Sequence, residues 1–355
     1  MKKILALVLA LAMVATFAAC GGGEETPATA EYKLGMGISV SLDSSADAAD
    51  DKNATAQADA TVAVVVLDKD GKIVAADLDC AQTKVEVKDG KIVDVDKVDV
   101  RTKKEKKEDY NMKGVSASMG TIEGGAEWYE QAAAFAEKMV GKTVADLEAL
   151  TTEEKNGHQV STDADLYAVC TMDITAFKAA FVAACKDAQA KTFTAGEGFK
   201  LGLDVETDVS GSADAKEDAL ATAQLYSTFG ATVVDADGKV LAAIVDEIQP
   251  KVTVAADNKI ADKTYSDTKR NLKEGYNMKG VSASMGTIEG GAEWYEQAEA
   301  FTDKMVGKTG AEIKALETEV KNDHNVAKDA DIYAVCTMQI SGYQVVLSNA
   351  ADAAK

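Results

Sequence analysis

The segment YNMKGVSASMGTIEGGAEWYEQA at 110–132 recurs without a single change at 276–298. The sequence downstream repeats at the same interval of 166 residues, since DLYAVCTM at 165–172 has its counterpart DIYAVCTM at 331–338. Upstream, the interval is 167 residues, and KLG at 33–35 matches KLG at 200–202. Solenoid repeats are roughly 20–50 residues long, so this much longer period indicates two tandem copies of one domain.

The first copy, repeat 1, is placed at 31–188 and the second copy, repeat 2, at 198–355, with a short linker at 189–197. The polar stretch AQAKTFTAGEG, which separates a helical pattern from the next predicted strand, is the basis for the linker. Each copy has about 155 residues, which is enough for a hydrophobic core of its own.

Strand patterns open each copy. In repeat 1, residues 55–67 and 72–79 flank the turn DKDG and predict a β-hairpin. Residues 84–87 and 91–95 predict a second hairpin around Asp89-Gly90. The segment 165–172 is apolar enough to predict a buried strand.

Helical patterns follow the hairpins. From Ala126 to Gly141 the apolar residues fall on one helix face, namely Trp128, Ala132, Phe135 and Met139. A short helix follows Thr143, a plausible N-cap, and runs to Leu150. Residues 175–188 predict a closing helix with inward-facing Phe177, Phe181 and Cys185. Hairpins followed by helices predict an α+β fold: two tandem copies of a mostly antiparallel sheet packed with helices.

The N-terminus carries an export signal. Lys2 and Lys3 precede an apolar run at 4–14, which is too short to span a membrane and is typical of a signal peptide at 1–19. The sequence FAAC ending at Cys20 resembles the lipobox of bacterial lipoproteins, which implies lipidation of Cys20 and a flexible tether at 20–30. The alternative is an ordinary cleaved signal peptide. The lipobox implies a protein on the extracytoplasmic face of the cell membrane.

The charge balance restricts the partners. With 38 Lys and Arg against 59 Asp and Glu, the chain carries a formal charge of −21. Such a surface repels phosphate backbones and anionic head groups, so we expect no nucleic-acid partner and attachment to the membrane through lipid.

The cysteines and histidines indicate no metal site. Of the cysteines other than Cys20, only Cys170 and Cys336 occupy matching positions, so the copies lack a common disulfide framework. Each copy has one histidine, His158 or His324, and no CxxC pair occurs, which argues against zinc. A lone cysteine in an apolar segment is usually a small buried side chain.

The repeated segment is the first candidate site. Its glycines allow a ligand to approach the backbone, while Tyr110, Met112, Tyr276 and Met278 offer flat or polarisable surfaces to a small planar ligand. The alternative is a glycine-rich connection in which Trp128 packs into the core.

The second candidate site is DLYAVCTMDIT at 165–175 with its partner DIYAVCTMQIS at 331–341. It resembles the DxxSGATxTS-like motif of the FMN-binding domain family found in exported Gram-positive lipoproteins and in a subunit of the sodium-pumping quinone reductase. In that family the motif threonine accepts FMN through a phosphoester bond. The resemblance assigns this role to Thr171 and Thr337, with Asp165 and Asp331 six residues ahead. This chain departs from the motif by having Ala-Val-Cys in place of Ser-Gly-Ala.

Two functions remain open from the sequence. The resemblance implies a membrane-anchored lipoprotein with two FMN-binding-like domains that takes part in flavin-based electron transfer, as a carrier rather than a stand-alone enzyme. The alternative is a non-enzymatic module without a cofactor, which presents two clefts to a small ligand or a cell-envelope partner.

Overall fold

The computed structural model describes residues 29–187, 189–196 and 198–355. The predicted signal peptide, Cys20 and the tether up to residue 28 lie outside the described residues. Within the described ranges, no helix is both long and apolar enough to cross a membrane.

Repeat 1 is built on an antiparallel sheet. Its strands are β1 (Ala30–Ser41), β2 (Ala54–Leu67), β3 (Ile73–Lys88), β4 (Lys91–Ile92), β5 (Thr152–Lys155), β6 (His158–Ser161) and β7 (Lys191–Ala195). Five of them form a sheet in the order β4-β3-β2-β1-β7, while β5 and β6 form a separate hairpin. Both predicted hairpins are confirmed, but they share one strand, because β3 runs unbroken from the first turn to the second.

The helices of repeat 1 follow the sheet. They are α1 (Lys103–Lys106), α2 (Lys113–Ser118), α3 (Trp128–Met139), α4 (Val144–Glu148), α5 (Ala164–Tyr167) and α6 (Thr175–Cys185). The predicted apolar face of α3 is confirmed, with Trp128 buried in the core. Thr143 caps α4 by accepting a hydrogen bond from the Asp146 backbone N–H, as predicted. In α6, Phe177 and Phe181 are buried, whereas Cys185 is only half-buried.

The prediction of a buried strand at 165–172 is wrong. The Asp163 side chain accepts hydrogen bonds from the backbone N–H groups of Asp165 and Leu166 and starts the one-turn helix α5. The chain then bends, and the Cys170 N–H donates to the Leu166 carbonyl. A short apolar run fits a strand and a helix equally well, and here the capping residue decides between them.

Repeat 2 follows the same order, except that the counterparts of β2 and β3 are each divided into two strands and β7 has no counterpart within the described residues. Its strands are β8 (Lys200–Asp208), β9 (Ala221–Gln224), β10 (Tyr226–Val234), β11 (Val240–Ile248), β12 (Lys251–Val254), β13 (Ile260–Thr264), β14 (Thr318–Lys321) and β15 (His324–Ala327). Its helices are α7 (Lys269–Leu272), α8 (Lys279–Ser284), α9 (Trp294–Asp303), α10 (Gly310–Lys314), α11 (Ala330–Tyr333) and α12 (Ser341–Ala353).

The sheet of repeat 2 is divided in two, in the orders β11-β10-β8 and β13-β12-β9. The division falls at Pro250, which stands where repeat 1 has Thr83. Proline has no backbone N–H to donate to a neighbouring strand, so the ladder is interrupted between β11 and β12. Together, the antiparallel sheets and packed helices of both repeats confirm the α+β class.

Apolar side chains fill both faces of the central strands. On one face of β2, Ala63, Val65 and Leu67 pack under the helices of repeat 1. On the opposite face, Val62, Val64 and Val66 pack against residues of repeat 2, which include Leu203, Phe229 and Ile244. Each repeat therefore has a core under its own helices and shares a second core, in which the two sheets meet face to face.

The stretch 189–197 differs from the predicted linker. It contains β7, which pairs with β1 from Ala30↔Ala195 to Leu34↔Lys191 and so adds a strand to the sheet of repeat 1. Phe193 of β7 lies in the shared core. The polar residues that suggested a linker alternate with buried ones, as on a strand with one covered face.

Candidate functional site

A cavity of about 970 Å³ opens in repeat 2. Its volume lies near the top of the range of roughly 300–1,000 Å³ that is usual for small-molecule sites. The wall combines the end of β8, the start of β10, the repeated segment at 276–298 and the start of α12. The side chains that matter for its chemistry include Tyr226, Lys269, Met278, Trp294, Thr337 and Tyr343.

A buried ion pair lies at the floor of this cavity. Lys269 Nζ is 2.7 Å from Glu247 Oε2, and the two side chains are 9% and 6% exposed. Lys269 also donates to the Tyr226 hydroxyl at 3.1 Å. The ammonium lies 4.9, 4.8 and 5.7 Å from the ring centres of Tyr226, Tyr276 and Trp294. Three aromatic rings and one carboxylate therefore surround a single internal cation.

The protonation state of Lys269 limits its chemistry. Burial is the largest single effect and lowers the pKa of Lys269, but the Glu247 carboxylate and Tyr276 together outweigh it, so the pKa is raised above its ordinary value. A lysine that stays protonated at neutral pH has no free electron pair for attack on a carbonyl group. Lys269 is thus a structural and electrostatic group rather than a nucleophile.

Tyr343 and Trp294 form a second buried polar contact at the cavity. The Trp294 indole N–H donates to the Tyr343 hydroxyl at 3.1 Å, and the two rings meet edge to face. Burial raises the pKa of Tyr343 well above its ordinary value, so the phenol stays protonated. The pair gives the cavity a rigid aromatic wall.

Thr337, the threonine assigned by the resemblance, lies on the cavity wall. It is only 6% exposed, and its hydroxyl donates to Gln297 Oε1 at 3.0 Å. Its backbone N–H donates to the same oxygen at 2.9 Å. Thr171 in repeat 1 makes the equivalent bonds to Gln131 at 3.1 and 2.9 Å. Each threonine is thus fixed by a glutamine from the repeated segment.

The other predicted site residues lie at varying distances from this cavity. Met278 lines it, and Tyr276 contacts Lys269 at its floor. Tyr110 and Met112 are half-buried against the helix-side core of repeat 1. Asp165 and Asp331 are exposed in the first turns of α5 and α11, and Asp331 is not part of the cavity wall.

Four residues of the floor and wall were not predicted from the sequence: Tyr226, Glu247, Lys269 and Tyr343. A comparison of the two copies contains the missing signal, because three of these positions differ between them. Tyr226 replaces Asp59, Glu247 replaces Cys80, and Tyr343 replaces Phe177. The repeated segment above them is identical, so at this site the copies differ in the floor beneath it and in the rim, where Glu206 and Asp208 replace Ser39 and Ser41.

Repeat 1 arranges the same place differently. Lys103 takes the position of Lys269, 5.1 and 5.6 Å from the ring centres of Tyr110 and Trp128. The carboxylate of Asp59 accepts from the side-chain amides of Gln57 and Gln82, each at 2.7 Å. Cys80 is buried, and burial raises the pKa of its thiol. The lysine of repeat 1 therefore has no counterpart of the Glu247 contact.

The cysteines within the described ranges are free. Cys170 and Cys336 are fully buried, as predicted, and burial raises the pKa of each thiol to about 12. A thiolate is the reactive form of cysteine, so neither side chain is reactive at neutral pH. His158 and His324 are exposed on the β5–β6 and β14–β15 hairpins, and His324 lies at the cavity edge.

Comparisons with protein-family models, curated proteins and solved structures found no match. The resemblance to the FMN-binding family therefore stays a prediction.

The cavity suits the planar ring of FMN but not its phosphate. Its volume and its tyrosine, tryptophan and methionine surfaces suit a planar ring. The phosphate finds no cation of its own, because Lys269 is the only Lys or Arg on the described cavity wall and is already paired with Glu247. The rim carries the exposed carboxylates of Glu206 and Asp208.

Proposed function

We propose that this chain is an extracytoplasmic small-molecule-binding lipoprotein whose repeat 2 holds one planar ligand. The observation that carries this proposal is the aromatic-walled cavity above the Lys269–Glu247 pair. Such a concave site with a few fixed polar groups is typical of ligand binding. In this proposal Cys20 carries the lipid anchor, and the ligand is held at the membrane surface.

A flavin is the ligand class that connects the cavity to electron transfer. Thr337, on the cavity wall, is the observation in its favour. A bound flavin would supply the redox chemistry, while Trp294, Tyr343 and Met278 would hold its ring. Binding is non-covalent in this proposal, because the Thr337 hydroxyl is buried and donates to Gln297.

An interaction module without a cofactor is the second candidate function. In the repeated segment, Val115 and Val281 are 61% and 63% exposed at equivalent places. Two identical apolar contact points on one chain suit a cell-envelope partner that binds both and gains avidity.

A visible spectrum of the purified mature protein, followed by titration with flavins, tests these proposals. We expect one flavin per chain and a rise in melting temperature on binding. Met278→Ala should weaken binding, whereas Met112→Ala, the same change in repeat 1, should leave it unaltered. If the protein has no flavin absorbance as purified, gains none with FMN and a flavin transferase, and shows no thermal shift, the flavin proposal is wrong. Equal effects of the two methionine variants would contradict the assignment to repeat 2.

A further inference from the structure

The charges around the repeat 2 cavity are predominantly negative. Its described wall holds the carboxylates of Glu206, Asp208 and Glu247 against the single ammonium of Lys269. The chain as a whole carries a formal charge of −21. A cleft lined mainly by one sign of charge concentrates ligands of the opposite sign and repels those of the same sign.

The one cation is already in use. Lys269 donates to Glu247 Oε2 and to the Tyr226 hydroxyl, and its ammonium lies 4.8 Å from the ring centre of Tyr276. The two hydrogen bonds use two of the three ammonium hydrogens, and the rings of Tyr226, Tyr276 and Trp294 surround the group. A phosphate would compete with Glu247 for this cation, and displacing Glu247 would leave a buried carboxylate without its partner.

Glu247 itself has no free side to offer to a second cation. Its other oxygen, Oε1, accepts from the Thr228 hydroxyl at 3.3 Å. The floor of the cavity is therefore internally neutral and hydrogen-bonded, and the remaining charge on the wall belongs to the exposed rim residues Glu206 and Asp208. The rim therefore gives the entrance of the cavity a negative charge.

We propose that the repeat 2 cavity selects an uncharged or positively charged planar ring compound and discriminates against the same ring bearing a phosphate. The inference rests on the proposed function and narrows its ligand class. It departs from the FMN expectation, since the aromatic wall accepts the ring while the rim and the paired lysine reject the phosphate.

Riboflavin and FMN are the matched probes, because they share the ring and the ribityl chain and differ by the phosphate. Quenching of flavin fluorescence on titration with the mature protein reports binding. At low ionic strength we expect riboflavin to bind about tenfold more tightly than FMN, with the difference shrinking at about 0.5 M salt as the rim charges are screened.

Two variants locate the source of the discrimination. The double variant Glu206→Gln with Asp208→Asn should reduce the difference in binding affinity between riboflavin and FMN. The control is Glu217→Gln with Asp218→Asn, which makes the same change in net charge at exposed residues of repeat 2 outside the cavity. Glu247→Gln, which keeps the shape of the side chain, should free the Lys269 charge and strengthen FMN binding.

The outcomes separate the two levels of the proposal. FMN binding as tightly as riboflavin at low salt overturns the charge discrimination and leaves the binding function standing. The charge discrimination is also overturned if the rim variant and its control reduce the difference between riboflavin and FMN affinity by the same amount. If neither flavin quenches or shifts the melting temperature, the flavin-binding function itself fails, and this inference fails with it.

Discussion

Arg270 of repeat 2 forms a buried ion pair with Asp187 of repeat 1, with 3.1 Å between Nη1 and Oδ2. Both side chains are less than a tenth exposed. Asp187 also accepts the Met36 backbone N–H at 3.1 Å, and Arg270 donates to the Gln189 carbonyl at 2.8 Å. The pair joins the residues that follow α6 to the start of α7, so it fixes one repeat against the other.

Asp187→Ala should lower the free energy of unfolding of the whole chain by about 3–5 kcal/mol, because it leaves the Arg270 charge buried and unpaired. Urea denaturation measures the change. Asp99→Ala, which removes the exposed partner of Arg101, is the control and should have little effect. Similar losses in the two variants would show that the inter-repeat pair has no special weight.

Stability should fall as the pH rises from 6 to 8. Burial raises the pKa of Asp204 to about 7, and the nearby carboxylates of Glu206, Glu105 and Asp79 raise it further, whereas the hydrogen bond from Asn349 lowers it. The folded state therefore holds this proton more tightly than the unfolded state, and the stabilisation is lost as the pH rises through 7.

The buried carboxyls of Asp79 and Asp246 titrate lower than that of Asp204, since burial raises the pKa of each to about 6. Asp204→Asn should thus flatten the stability profile between pH 6 and 8 and stabilise the protein at pH 8 by on the order of 1–3 kcal/mol. Denaturation at several pH values measures this, with the exposed Asp43→Asn as control. If the free energy of unfolding of Asp204→Asn falls with pH as steeply as that of the unaltered protein, Asp204 is not the source of the pH dependence.

Gly37→Ala should destabilise the protein by about 1–3 kcal/mol, because a Cβ at Gly37 would clash with the backbone of α6 at Ala180 and Ala184. Gly114 lies within helix α2 with open space around it, so Gly114→Ala should be neutral or stabilise by up to about 1 kcal/mol. Thermal denaturation compares the two. A tolerated Gly37→Ala would mean that α6 does not pack closely on β1.

Repeat 1 expressed alone should self-associate, because the β2 side chains Val62, Val64 and Val66 lose their cover when repeat 2 is absent. Sedimentation of residues 29–196 should show a dimer or larger species. Val62→Lys with Val64→Lys should reduce the association, since charged side chains cannot be buried between two sheets. A monomeric, folded repeat 1 would contradict the role of the shared core.

Much of the fold could be predicted from local patterns. The hairpins and α3 follow from strong apolar periods, and α4 follows from its Thr143 cap. The face-to-face sheets could not be predicted, because the apolar run in β2 specifies two buried faces without naming what covers the second. Its cover comes from residues more than a hundred positions away, such as Phe229.

The site was predictable only in part. Met278 and Thr337 line the cavity, while Asp331 lies outside it, because α11 replaces the expected strand and places Asp331 on its exposed side. The floor residues Tyr226, Glu247 and Lys269 are far apart in sequence and meet only through β10, β11 and α7. No local pattern marks them, although Tyr226 and Glu247 differ from the matching residues of repeat 1.

Because the two sheets lie back to back, the helical layers become the outer faces of a four-layer slab. The repeated segments at 110–132 and 276–298 belong to these opposite outer layers. A single partner would have to extend around the slab to contact both segments, so the avidity of the proposed interaction module requires a long or flexible partner. Duplication has thus placed the two copies of this segment on opposite sides of the fold.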